Sequence, residues 1–114
     1  MELKIEKTWT PIIWLTEADK EFRNYKKTDK GEKLAEAGEK LYNSLVSLLE
    51  ERTGKKLNNY HKIKEAATKD PFAKKIFDDA YWLHIFFHRR FTEDITTEEE
   101  KFANVMNKME KEIA

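Results

Sequence analysis

Two of the three histidines and two of the four arginines fall in one stretch, Asp70 to Phe91, DPFAKKIFDDAYWLHIFFHRRF. His84 and His88 are four apart, the spacing that places side chains on one helical face, and Arg89 and Arg90 follow them. Imidazole titrates near neutrality and serves as a general acid or base. Guanidinium can hold the charge that develops on a phosphate. With aromatic side chains alongside that can stack on bases, the set fits a metal-independent ribonuclease using His84 or His88 with Arg89. The same residues have a plainer explanation. His84 would be a core histidine bonded to a buried partner such as Glu39, and His88 and the arginines would be cations at a helix C-terminus. The plainer explanation is preferred, because aromatic stripes at helical spacing are usually core.

Metal ligation is the other chemistry a histidine pair invites. A bundle di-iron site would want Glu-x-x-His, but Tyr81 and Ile85 stand three residues before these histidines. Glu39 or Asp79 could assist, yet nothing in the spacing requires either, so no metal and no cofactor are expected. Cysteine is absent, which removes disulfides, thiolate sites and a cysteine nucleophile.

These side chains need a scaffold. Asp70 before Pro71 is a helix start, and Ala73, Ile76, Phe77, Ala80, His84, Phe87 and Phe91 make one apolar face. Trp82 and Phe86 lie on another side, where an exposed patch would mark an interface, and a homodimer is the commonest cover. A helix apolar around well over half its circumference, as this one is, is expected at the centre of the fold or at a subunit interface. Thr10-Pro11 opens a first helix with a stripe of Trp14 or Leu15, Ala18, Phe22 and Tyr25. Asp29 with Glu32 reads as a capping box for a second, carrying Leu34, Gly38, Leu41, Tyr42, Leu45, Leu48 and Leu49 and closed by Gly54. Asn58 or Asn59 caps a short third helix, and Thr96 and Thr97 with Glu99 and Glu100 open a last one. The expectation is an all-α, up-and-down bundle of about five helices: an N-terminal arm at residues 1–9, then a single domain at 10–114.

The 22 basic and 22 acidic residues cancel, so net charge selects no partner. Their placement is uneven. Arg52 to Lys75 holds eight Lys/Arg against two acids, including Lys62 and Lys64, whereas Phe91 to Ala114 holds three lysines against seven acids. Lys62, Lys64, Arg89 and Arg90 are the candidate ligand-binding cations, although a solvated exterior explains such runs more often. No apolar run is long enough to cross a bilayer and MELKIEK has no signal-peptide core, so a cytoplasmic protein without membrane contact is expected. High Lys and Glu without Cys is similar to thermophile composition.

The segment AEAGEKLYNSLVSLLE (Ala35 to Glu50), a short helix with His61, and DDAYWLHIFFH (Asp78 to His88) together resemble archaeal PaREP-type proteins, part of the HEPN helical-bundle group. The most specific matches are Ala37-Gly38-Glu39-Lys40-Leu41-Tyr42 and Ala80 with Leu83-His84, in a resemblance running from Trp14 to the C-terminus. It implies a dimerising bundle that contacts nucleotide or RNA, near nucleotidyltransferase or antitoxin partners. Active ribonucleases of the group carry Arg, four to six residues, then His. Here no histidine follows Arg23, Arg52, Arg89 or Arg90 at that spacing, and the local order is reversed. Glu39 and His84 are the two polar positions that match this branch. A non-catalytic binding or interaction module is therefore preferred over the ribonuclease, with a purely structural oligomer as the third reading.

Overall fold

Proline and cap residues set where the helices begin. The computed structural model describes residues 9–89 and 95–113. Within them lie α1 (Pro11–Thr28), α2 (Gly31–Thr53), α3 (Tyr60–Lys69), α4 (Pro71–His88) and α5 (Ile95–Ile113), an all-α helical bundle. Thr10 accepts from the Ile13 amide and Asn59 from that of Lys62, while Asp70 accepts from both Phe72 and Ala73. These side chains satisfy amides that a helix start leaves without partners. Gly54 closes α2 at φ 68°, a left-handed conformation that glycine adopts without strain.

Two expected helix starts are corrected. Asp29 does not open α2. It ends α1 in the left-handed region at φ 56°, and Lys30 precedes α2 without a side-chain cap. Asparagine and aspartate tolerate that conformation better than other non-glycine residues, so one Asp can serve as a stop where a start was read. Likewise α5 is already helical at Ile95, so Thr96 and Thr97 sit inside its first turn. Glu99 then reaches Tyr25 and Lys26 of α1, at 3.0 and 2.9 Å, instead of closing a capping box. Those partners hold the Glu99 carboxyl below the ordinary carboxylate range, Lys26 most of all.

The hub is α2, not α4. It packs on all four other helices, whereas α4 meets α2, α3 and α5. The reason lies in the sequence of α2: Leu34, Ala35, Ala37, Gly38, Leu41, Tyr42, Ser44, Leu45, Leu48 and Leu49 are all buried, a stripe wide enough to be covered from several sides. Ser44 donates to the Pro11 carbonyl at 2.7 Å, which fixes the start of α1 on α2. At the α1–α5 seam Phe22 stacks on Phe102 with centroids 4.6 Å apart. Arg52 ties three helix ends together, bonding Asp70 at 2.8 Å and also Glu112.

The buried face of α4 also differs from the expected one. It runs through Ala73, Ile76, Phe77 and Ala80 as anticipated, and then through Leu83 and Phe86 where His84 and Phe87 were expected. Leu83 meets α2 at Gly38, where an added Cβ would lie 3.3 Å from Leu83 Cβ. The missing side chain lets the two helices approach closely and turns His84 to the edge of the contact. Of the N-terminal arm, Trp9 is described: it packs on Trp14 at 4.5 Å and accepts from Ser47 through its carbonyl. The arm's other residues, with Arg90 and Phe91, lie outside the described residues. Among the described residues no helix is long and apolar enough to cross a membrane.

Candidate functional site

Gly38 brings α4 close, and the next residue along α2, Glu39, faces the last two turns of α4. The Glu39 carboxylate meets His84 Nδ1 at 2.7 Å through Oε1 and His88 Nε2 at 3.2 Å through Oε2. One carboxylate therefore spans both imidazoles. Its side chain is 17% exposed, His84 27% and His88 55%, so the cluster grades from half-buried to open. With Glu39 ionised, the His84 Nδ1–H and the His88 Nε2–H donate.

The histidines are held by rings as well as by the carboxylate. Tyr42, one turn after Glu39 on α2, stacks on His84 with centroids 4.4 Å apart. His84 also packs edge-on to His88 at 4.4 Å and lies 5.9 Å from Tyr81. Tyr81 continues to Tyr60 at 4.7 Å, so a ladder of rings joins the Glu39 cluster to the start of α3. Burial, and next the negative charge of Glu39, push the Tyr42 hydroxyl above the ordinary phenol range, and it stays protonated. These tyrosines were missed as site residues. The signal was present: Tyr42 follows Glu39 by three and Tyr81 precedes His84 by three, the spacings of side chains on one face.

Beyond the ladder lies the basic segment. Lys55, Lys56, Lys62 and Lys69 line a cleft of about 660 Å³ between the α2–α3 turn and α3, together with Thr53 and Glu65. Glu65 is taken by Lys69 at 3.0 Å, so the acid in this wall is already paired. Lys62 bonds Asn58 at 3.3 Å, and Lys64 lies 5.7 Å above the Tyr60 ring. No family model, curated protein or solved structure matches the chain.

The remaining candidate residues are placed as follows. Arg89 is exposed at the C-cap of α4, where its amide bonds the carbonyls of Ile85 and Phe87. Asp79, the other carboxylate considered beside the histidines, points instead to α5, accepting from Lys101 at 3.1 Å and Asn104 at 2.9 Å. Trp82 and Phe86 stack at 5.2 Å, but Phe86 is 5% exposed and Trp82 is half-buried under Lys101. Their apolar area is largely spent inside the chain, which corrects the expected exposed patch. The exposed large apolar side chains among the described residues are Ile12, Ile13, Tyr60 and Ile95.

One further polar group escaped the sequence reading. Glu98 of α5 is fully buried, and neither carboxylate oxygen has a hydrogen-bond partner among the described residues. Burial pushes its carboxyl up to about 8. It occupies the place a Gly38 side chain would take, since a Cβ there would stand 2.9 Å from Glu98 Oε1.

Proposed function

We propose that the chain is a non-catalytic, HEPN-like binding module that takes the phosphates of a nucleotide or a short single-stranded RNA in the lysine-lined cleft. The observation that carries the reading is the cleft itself, with four lysines and one acid already paired to Lys69. Phosphate contacts from lysine supply sequence-independent affinity. Ribonuclease activity through His84 and His88 is the alternative. The HEPN pairing of arginine with a later histidine is missing, which favours binding without cleavage. The homodimer implied by the resemblance belongs to the same proposal, and sedimentation equilibrium tests it independently of ligand.

The experiment for the ligand is fluorescence polarisation with a labelled single-stranded RNA, comparing the native chain with Lys56→Glu/Lys62→Glu. Each lost phosphate contact lowers affinity several-fold and each reversed charge adds repulsion, so the double variant should bind at least about tenfold more weakly. Equal binding by a folded variant would remove the cleft from the proposal.

A further inference from the structure

The Glu39 cluster lies apart from the lysine cleft and does something phosphate binding has no use for. It brings three donors of metal-ligand type from two helices to one point. One nitrogen of each imidazole and one Glu39 oxygen lie within 4.8 Å of one another. We propose that Glu39, His84 and His88 form a three-ligand site for a divalent transition metal ion that prefers nitrogen and oxygen donors, such as zinc or ferrous iron. The proposal stands whether or not the chain binds RNA.

Donor chemistry comes first. Two imidazoles and one carboxylate are the ligand set of open zinc sites and of non-haem ferrous sites, in which the remaining positions go to water or substrate. Calcium and magnesium prefer all-oxygen surroundings, which this cluster does not offer. Zinc bonds of 2.0–2.1 Å at a tetrahedral angle place donors about 3.3 Å apart. His84 stands 2.7 Å from Oε1 and His88 3.2 Å from Oε2, so holding an ion through a single Glu39 oxygen, with the three donors already within 4.8 Å of one another, takes side-chain rotations that bring both imidazoles to that oxygen.

Preorganisation comes second. His84 and His88 sit one turn apart on α4, so helix geometry fixes their spacing. His84 is clamped by the Tyr42 ring, and Glu39 rides on α2 beside the close approach at Gly38. A metal would replace the two N–H donations to Glu39 with direct bonds to all three groups, each imidazole carrying its one proton on the nitrogen turned away from the ion, at little cost in side-chain ordering. His88 is 55% exposed, which leaves an entry path and a solvent side for the open positions. His61, the third histidine, is exposed on α3 and serves as an internal control.

The test uses the full, untagged chain after treatment with chelator. Titration with zinc by calorimetry should give one ion per chain with micromolar or tighter affinity. Cobalt(II) should develop the intense visible bands of a nitrogen-ligated, low-coordinate ion. His88→Ala and Glu39→Gln should each weaken zinc binding by at least about tenfold, the lower end of what even outer-sphere partners contribute. Histidine side-chain ¹⁵N spectra of the native chain give a readout without any variant: zinc should move His84 and His88 and leave His61 in place. Binding without saturation, a cobalt spectrum like that of the aqueous ion, or zinc shifts shared equally by His61 would overturn the proposal. So would unchanged affinity in a folded His88→Ala chain.

Discussion

Glu98→Gln is the perturbation whose outcome follows most directly from the fold. Glu98 is fully buried on α5, with both oxygens unpartnered among the described residues. It lies in the first turns of α5, where the helix dipole favours an anion, but burial dominates and raises the carboxyl to about 8 from an ordinary 4.5. A folded-state value above the unfolded one means that the folded chain holds the proton more tightly. The associated stability is therefore fully present below about pH 4.5, the unfolded value, and drains away as the pH rises through about 8. At 1.36 kcal/mol per unit, the displacement from 4.5 to about 8 corresponds to at most about 5 kcal/mol. Water admitted next to the carboxylate would reduce it. Gln keeps the shape and stays neutral, so the variant should escape this loss. Urea unfolding of both chains at pH 5, 7 and 9 measures it, since the groups the two chains share cancel in the difference. The expected result is near-equal stability at pH 5 and an advantage for Glu98→Gln of about 2 kcal/mol or more at pH 9, or roughly 8 °C or more in Tm. Parallel pH profiles for the two chains would refute the reasoning and place Glu98 in contact with water or a partner.

Gly38→Ala gains helix propensity of about 1 kcal/mol but drives a methyl to within 2.9 Å of Glu98 Oε1 and 3.3 Å of Leu83 Cβ. Overpacking should outweigh it, with a net loss of up to about 2 kcal/mol by urea unfolding, and weaker zinc binding as α2 and α4 separate. Asp70→Ala removes the 3.0 and 3.1 Å cap bonds of α4 and one partner of Arg52, which should cost about 1–2 kcal/mol. Burial alone would raise the Asp70 carboxyl, but Arg52 and the Ala73 and Phe72 amides outweigh it and hold it below the carboxylate range. That contribution is present at neutral pH and lost as pH falls through the lowered value, so the native and Asp70→Ala chains should converge in stability in acid.

Helix starts carried by a cap were legible, at Thr10-Pro11, Asp70-Pro71 and, to within one residue, at Asn58 or Asn59, because each rests on a local bond that needs no tertiary partner. Asp29 misled because the same residue type caps a start or tolerates a left-handed stop, and the choice depends on where the neighbouring helix packs. The phase of α4 slipped by one position at its end. Leu83 with Phe86 and His84 with Phe87 both satisfy helical spacing, and only the close approach at Gly38 selects the first pair. Glu39 and His84 were marked in sequence as polar positions, but their 2.7 Å bond and the second bond to His88 are products of α2 against α4. Glu98 gave no signal. A glutamate in the first turn of a helix normally faces water, and its burial follows from the space left by a glycine sixty residues earlier.

The central claim, that the chain binds nucleic acid through its lysine cleft without cutting it, is tested most directly by the salt dependence of single-stranded RNA binding. With three or four lysine–phosphate contacts, affinity should fall about 20- to 50-fold between 50 and 200 mM salt, and the RNA should be recovered intact on a gel. Binding that ignores salt, no binding at either concentration, or cleaved RNA would contradict it.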